Sequence, residues 1–119
     1  HEAWFRKCLD NNKIFLYIGI NKNSQKDVPI GIIRFNLIDL SHKHYEVSIN
    51  IAPNVRKNGF GHYLLQDGTK KFIEDIKKSI RIYALVKVNN IHSIKLFTSA
   101  GYTLCDIDNN GFAKYFLDF

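Results

Sequence analysis

The stretch Pro53-Asn54-Val55-Arg56-Lys57-Asn58-Gly59-Phe60-Gly61-His62-Tyr63-Leu64-Leu65 decides how the rest of the chain is read. Ahead of it Glu46-Val47-Ser48-Ile49-Asn50-Ile51-Ala52 is apolar at alternate positions, and behind it Leu64 and Leu65 open a helical pattern. The order is strand, basic glycine loop, helix. Gly59 and Gly61 let backbone approach a bulky anion closely, and the free N–H groups of the helix's first turn then point at that anion. Phosphate is the natural guest.

Working outward, the strand over residues 44–51 places Tyr45, Val47, Ile49 and Ile51 on one face and His44, Glu46, Ser48 and Asn50 on the other. That polar row lies close enough to the loop to be a site wall. Upstream, residues 14–20 are apolar on both faces and predict a buried strand. Residues 29–37 predict its hairpin partner, with Arg34 and Asn36 as polar members. Trp4, Phe5, Cys8 and Leu9 recur at helical spacing and predict a short amphipathic helix over residues 1–9. Downstream, Gly61, Leu64, Leu65, Gly68, Phe72 and Ile76 predict a helix over about 59–78, in which Gly68 signals close packing on a sheet. A strand follows over 80–88. A helix then runs from Asn89-Asn90 to Ala100, with Gly101 in the capping position. Two strands, 102–107 and 112–117, flank the hairpin turn Asp108-Asn109-Asn110-Gly111.

At 119 residues this is one domain with room for a real core. Seventeen Lys and Arg against eleven Asp and Glu suit anionic partners, but the cations are dispersed, so no nucleic-acid arm is indicated. A nucleic-acid binder would show a steep salt dependence. Cys8 and Cys105 form no metal or redox spacing and read as small buried hydrophobes in a reducing compartment. No apolar run is long enough to span a bilayer, so a soluble cytoplasmic protein is expected, without a membrane partner. His1 and the absence of Met suggest a chain that begins within a longer protein.

The order of elements resembles the GCN5-related N-acetyltransferase (GNAT) family. Arg56-Lys57-Asn58-Gly59-Phe60-Gly61 fits that family's R/Q-x-x-G-x-G/A signature. Asn90 to Phe97, followed by Gly101-Tyr102, is similar to its N-x-x-A/S-x-x-L-Y and G-F pattern. The resemblance implies a single α/β (α+β) domain over residues 1–119: a mixed, mostly antiparallel twisted sheet of about six strands with helices on both faces. The family's first strand and helix are without counterpart. It implies acetyl-CoA as donor, a small amine as acceptor, direct transfer in a ternary complex, and a monomer or homodimer. The pyrophosphate would lie on the backbone of Arg56, Lys57, Asn58, Gly59, Phe60, Gly61 and His62. The pantetheine arm would lie between residues 49–52 and 83–87, beside Ile49, Ile51, Asn90, Ser93 and Phe97. Asn90 is equally a helix cap.

Acetyl transfer to an amine needs a base, and Glu46 on the polar row is the first candidate, with a structural ion pair as the alternative. His44 is the second, because its ordinary pKa lies near neutrality. His42 and His44 lack a third metal ligand, so no metal is expected. Where the family usually carries a Tyr proton donor this chain has Phe97, which leaves Tyr83, Tyr102, water or an unassisted thiolate. The opening residues, the Glu46 strand and the segment 93–97 are similar to the branch that acetylates amino sugars on nucleotide carriers. N-terminal (ribosomal) protein acetylation, small-amine acetylation, and a non-catalytic acyl-CoA-binding module are the alternatives.

Overall fold

The computed structural model describes residues 3–11, 13–21, 28–53 and 59–119. Four strands come first: β1 (Ala3–Asp10), β2 (Ile14–Asn21), β3 (Val28–Asp39) and β4 (His44–Ile51). Helix α1 (Phe60–Ile76), β5 (Arg81–Lys87), α2 (Ile91–Ser99), β6 (Thr103–Ile107) and β7 (Phe112–Asp118) follow. They form one seven-stranded sheet in the order β1-β2-β3-β4-β5-β7-β6, antiparallel except where β4 meets β5. The GNAT-type α/β architecture expected from the motifs is therefore present.

Alternation decides the faces. Phe15, Tyr17, Ile33, Phe35, Tyr45 and Val47 are buried, and they share one cluster with Leu64, Leu65 and Phe72 of α1 and Phe97 of α2. Phe35 and Phe72 stack with ring centroids 4.1 Å apart. Burial of Phe72 contributes about 1.5–3 kcal/mol by area alone. At Gly68 a Cβ would stand 2.7 Å from Ile33 Cγ2, so its absence lets α1 lie down on β3. The αL residue Lys77 ends α1, its N–H donating to the Ile73 carbonyl at 3.2 Å.

Three expectations are corrected. Residues 3–10 are an edge strand, paired with β2 from Ala3↔Asn21 to Asp10↔Phe15, and not a helix. A nine-residue helix is marginal on its own, whereas β2 offers a full ladder, and Phe5 turns inward against Gly19 and Gly68. The sheet accordingly has seven strands, and both described helices pack into the same core on one face. Neither helix covers the second face, and the segment expected as a further helix is spent on β1. Cys8 and Cys105 are free, as expected, but exposed, because they lie on the two edge strands β1 and β6. No described helix is long and apolar enough to cross a membrane.

Candidate functional site

The β4–β5 ladder holds only three register pairs, His44↔Arg81, Tyr45↔Ile82 and Glu46↔Tyr83. Past Glu46 the two strands part, although β4 remains paired with β3 as far as Gly31↔Ile51. Their separation opens a cleft of about 780 Å³. Its outer wall carries Arg34, Asn36, Glu46 and Ser48; its inner end carries Asn90, His92, Ser93, Leu96 and Phe97.

Backbone parity equips one wall with donors. The Ala52 N–H donates to the Ile30 carbonyl at 2.9 Å, so even-numbered residues of β4 turn their polar groups towards β3. The N–H groups of Val47, Ile49 and Ile51 therefore point to the β5 side, into the gap. Ile49 and Ile51 both line the cleft.

The cleft continues to the start of α1. A hollow of about 640 Å³ is bounded by Gly59, Gly61, His62, His92, Lys95, Leu96 and Ser99, sharing His92 and Leu96 with the cleft. Gly59 takes the left-handed conformation at φ 74°, and α1 has neither a side-chain cap nor an acidic residue in its first turn. The positive end of the α1 dipole thus lies beside His62, His92 and Lys95. Phe60 is buried against Ile30, Ile51 and Ala52. Arg56, Lys57 and Asn58 lie outside the described residues.

The other candidates separate clearly. Asn90 caps α2, its Oδ1 accepting from the Ser93 N–H at 3.1 Å, while also lining the cleft. The Glu46 side chain has no hydrogen bond or ion pair among the described residues. His44 is absent from the cleft lining; its ring lies 5.5 Å from His42 and 5.2 Å from Tyr83. His42 is engaged by Asp39 at 2.7 Å, and no metal-binding group occurs among the described residues. Hydrogen bonds from Ser41 and His42 hold the Asp39 carboxyl down at about 2. Tyr102 is buried, which pushes its phenol well above the ordinary value, and it lines a different hollow on the outer side of α1. Tyr83 carries Lys114 Nζ 4.4 Å over its ring and is also outside the cleft lining. Neither tyrosine is placed as a proton donor at the cleft. Phe97 lines it and meets Tyr102 edge to face at 5.1 Å.

Sequence reasoning did not nominate Arg34, Asn36, Lys87, His92 or Lys95 as site residues. Arg34 and Asn36 are visible in the sequence as polar members of a strand. Only the register, Arg34↔Ser48 and Asn36↔Glu46, brings them beside Glu46.

Solved structures with this fold include a domain from Methanocaldococcus jannaschii, at TM-score 0.74 and 19% identity, covering 92% of this chain and 69% of that one. Another is the Campylobacter jejuni N-acetyltransferase PseH in complex with acetyl coenzyme A, at TM-score 0.73 and 23% identity, covering 90% and 69%. A mutant of the Vibrio cholerae spermidine N-acetyltransferase SpeG gives TM-score 0.77 at 19% identity, covering 91% and 66%. At these identities the likeness is one of fold. No curated protein sequence shows a significant match. A family model described as the acetyltransferase (GNAT) family matches residues 1–102, which include the glycine loop, the strands that part at Glu46 and the Asn90–Phe97 helix, and the chain belongs to that family.

Proposed function

We propose that this chain is an acetyl-CoA-dependent N-acetyltransferase that passes the acetyl group directly to a primary amine in a ternary complex, with an amino sugar of a nucleotide-sugar as acceptor. The observation that carries the reading is the parting of β4 from β5 immediately beyond Glu46, which leaves a carboxylate at the mouth of a cleft walled by strand N–H groups.

The residues fit acetyl-CoA. The α1 N-terminus and the neighbouring His62 and Lys95 suit a pyrophosphate. Arg56, Lys57 and Asn58 complete that loop in sequence. The gap beside Ile49, Ile51, Asn90, Ser93 and Phe97 suits the pantetheine arm, which can pair with β4 as an added strand. Acetyl-CoA supplies the acetyl group as a thioester. The Ile49 N–H would face the thioester carbonyl, where negative charge grows on the oxygen, and one such donor is worth about 2.7–4 kcal/mol. Glu46 takes the ammonium proton, directly or through water, giving the neutral amine that attacks. Phe97 offers no proton to the departing thiolate, which is a tolerable leaving group because an ordinary thiol has a pKa of about 8.5. His44 is the weaker base candidate, since it stands outside the cleft lining.

Glu46→Gln should lower turnover by about 10²- to 10⁴-fold while leaving acetyl-CoA affinity nearly intact; an unchanged rate removes Glu46 as the base. Phe97 favours one second reading, a non-catalytic acyl-CoA-binding module. Saturable acetyl-CoA binding with no release of CoA against a panel of sugar amines, polyamines and peptide N-termini would establish it.

A further inference from the structure

We infer that the outer wall of the cleft reads an anion on the acceptor: Arg34 receives a phosphate-like group of the same molecule whose amine is deprotonated by Glu46. The inference rests on the acetyl-transfer reading above and adds the substrate's second charged group.

The β3–β4 register sets Asn36 opposite Glu46 and Arg34 opposite Ser48, on the sheet face that bears neither helix. Arg34 lines both the cleft and an adjoining hollow of about 340 Å³ formed with Leu16, Ile32, Ser48 and Asn50. Although Glu46 is only one rung away on the next strand, the Arg34 side chain makes neither a hydrogen bond nor an ion pair among the described residues. Two opposite charges are thus presented side by side to the cleft, each without a protein partner. Their rungs are two residues apart, roughly 7 Å along the strands. A ligand that satisfies both must carry a cation and an anion at about that separation, as UDP-glucosamine does between its 2-amine and the outer phosphate of its diphosphate. The guanidinium's planar fork of donors matches phosphate oxygens two at a time.

Asn36 supports the same ligand. Its Oδ1 is buried with no hydrogen-bond partner, on the same rung as Glu46. An orphaned acceptor there calls for a donor, and a hydroxylated amine brings ammonium and hydroxyl hydrogens.

Charge also argues against the opposite class of acceptor. Glu46 is the single acid among the described residues that line the cleft, against Arg34 and Lys87, and the adjoining hollow has none. A polyamine would leave its remaining ammonium groups facing Arg34 without a counter-charge, and like charges so placed discriminate strongly.

The test uses the whole chain with saturating acetyl-CoA and three probes: UDP-glucosamine, glucosamine and spermidine. UDP-glucosamine is expected to have a kcat/KM at least tenfold above the other two. Arg34→Gln should lower it about 10- to 100-fold through KM, with kcat nearly unchanged and the glucosamine values unaffected. Arg34→Lys should restore part of the loss, and Lys70→Gln, which removes the same charge from α1, should change nothing. A preference for spermidine, or an equal effect of Arg34→Gln on glucosamine, overturns the inference while leaving acetyl transfer intact. If no probe is acetylated, calorimetric titration of UDP-glucosamine into the CoA-loaded protein separates the two ideas. Binding that Arg34→Gln abolishes keeps the anion site and rejects the transfer reading, whereas binding that Arg34→Gln leaves unchanged, or no binding at all, rejects the anion site.

Discussion

Gly31→Ala probes the contact between β3 and the strand that walls the cleft. A Cβ at Gly31 would stand 2.6 Å from the Asn50 carbonyl oxygen, 2.9 Å from Leu64 Cδ2 and 3.1 Å from Ile51 Cα. The leucine methyl can rotate aside. The other two atoms are main chain of β4 and move only with the strand, which must retreat by at least 0.4 Å before the closest contact reaches 3.0 Å. Crowding of this kind costs about 1–3 kcal/mol. Restriction of the unfolded chain by alanine offsets about 0.4–1 kcal/mol. A net loss of about 1–2 kcal/mol lowers the thermal midpoint by roughly 4–8 °C for a chain of this length. Thermal unfolding followed by circular dichroism measures it. Gly111→Ala is the comparison: Gly111 has φ 81° but no atom within 4 Å, so its cost is local strain alone. Because β4 also supplies the cleft's N–H groups, acetyl-CoA affinity should fall in Gly31→Ala and hold in Gly111→Ala. A Gly31→Ala midpoint within about 1 °C of the parent, with affinity unchanged, would refute the reasoning.

Asp75 supplies a pH dependence. Burial acts to raise its pKa, but the Tyr17 hydroxyl at 2.8 Å, Lys7 at 3.3 Å and Lys71 at 3.8 Å together bring it below the ordinary 3.8. A depressed carboxyl contributes stability above its unfolded pKa and loses it as pH falls through the folded one. Asp75→Asn should therefore cost about 1 kcal/mol at pH 7, with the gap to the parent closing below pH 3.8 in denaturant titrations. The edge-strand cysteines give a further check: Cys8 and Cys105 should both react with a thiol reagent in the native protein without denaturant, and slow labelling of either would contradict its exposed position.

What the sequence disclosed depended on range. The α1 stripe, the Asn90 cap, the Gly101 stop and the Asp108–Gly111 turn are written in neighbouring residues, and each was legible. In the turn, Asp108 Oδ1 accepts from the N–H groups of Asn110 at 2.8 Å and Phe112 at 2.9 Å. β1 was hidden because its register shifts between Lys7 and Leu9, which breaks the alternation a strand would otherwise show. At the site, Glu46 and the Asn90–Phe97 residues followed from motif and polar row. Arg34 did not, because its place beside Glu46 is a matter of register between two strands, which no local pattern encodes.

The glycine loop itself acquires a second physical purpose. Gly61 reads in sequence as a place where backbone approaches an anion, yet a Cβ there would meet Ile51 Cδ1 at 3.0 Å and Leu96 Cδ2 at 3.7 Å. Its bareness lets the start of α1 lie close to the end of β4 and to α2. Next to it, Phe60 is buried with Ile30, and Ile51 and Ala52 pack on that pair. The Ala52 N–H meanwhile continues the bonding to β3, six residues after the β5 ladder has ended at Glu46. The end of β4 is thus pinned to β3 and to α1, while β5 beyond Tyr83 pairs only with β7. The opening of the cleft follows from that pinning, so the residues that suit a phosphate at the helix start also hold apart the two strands that wall the cleft.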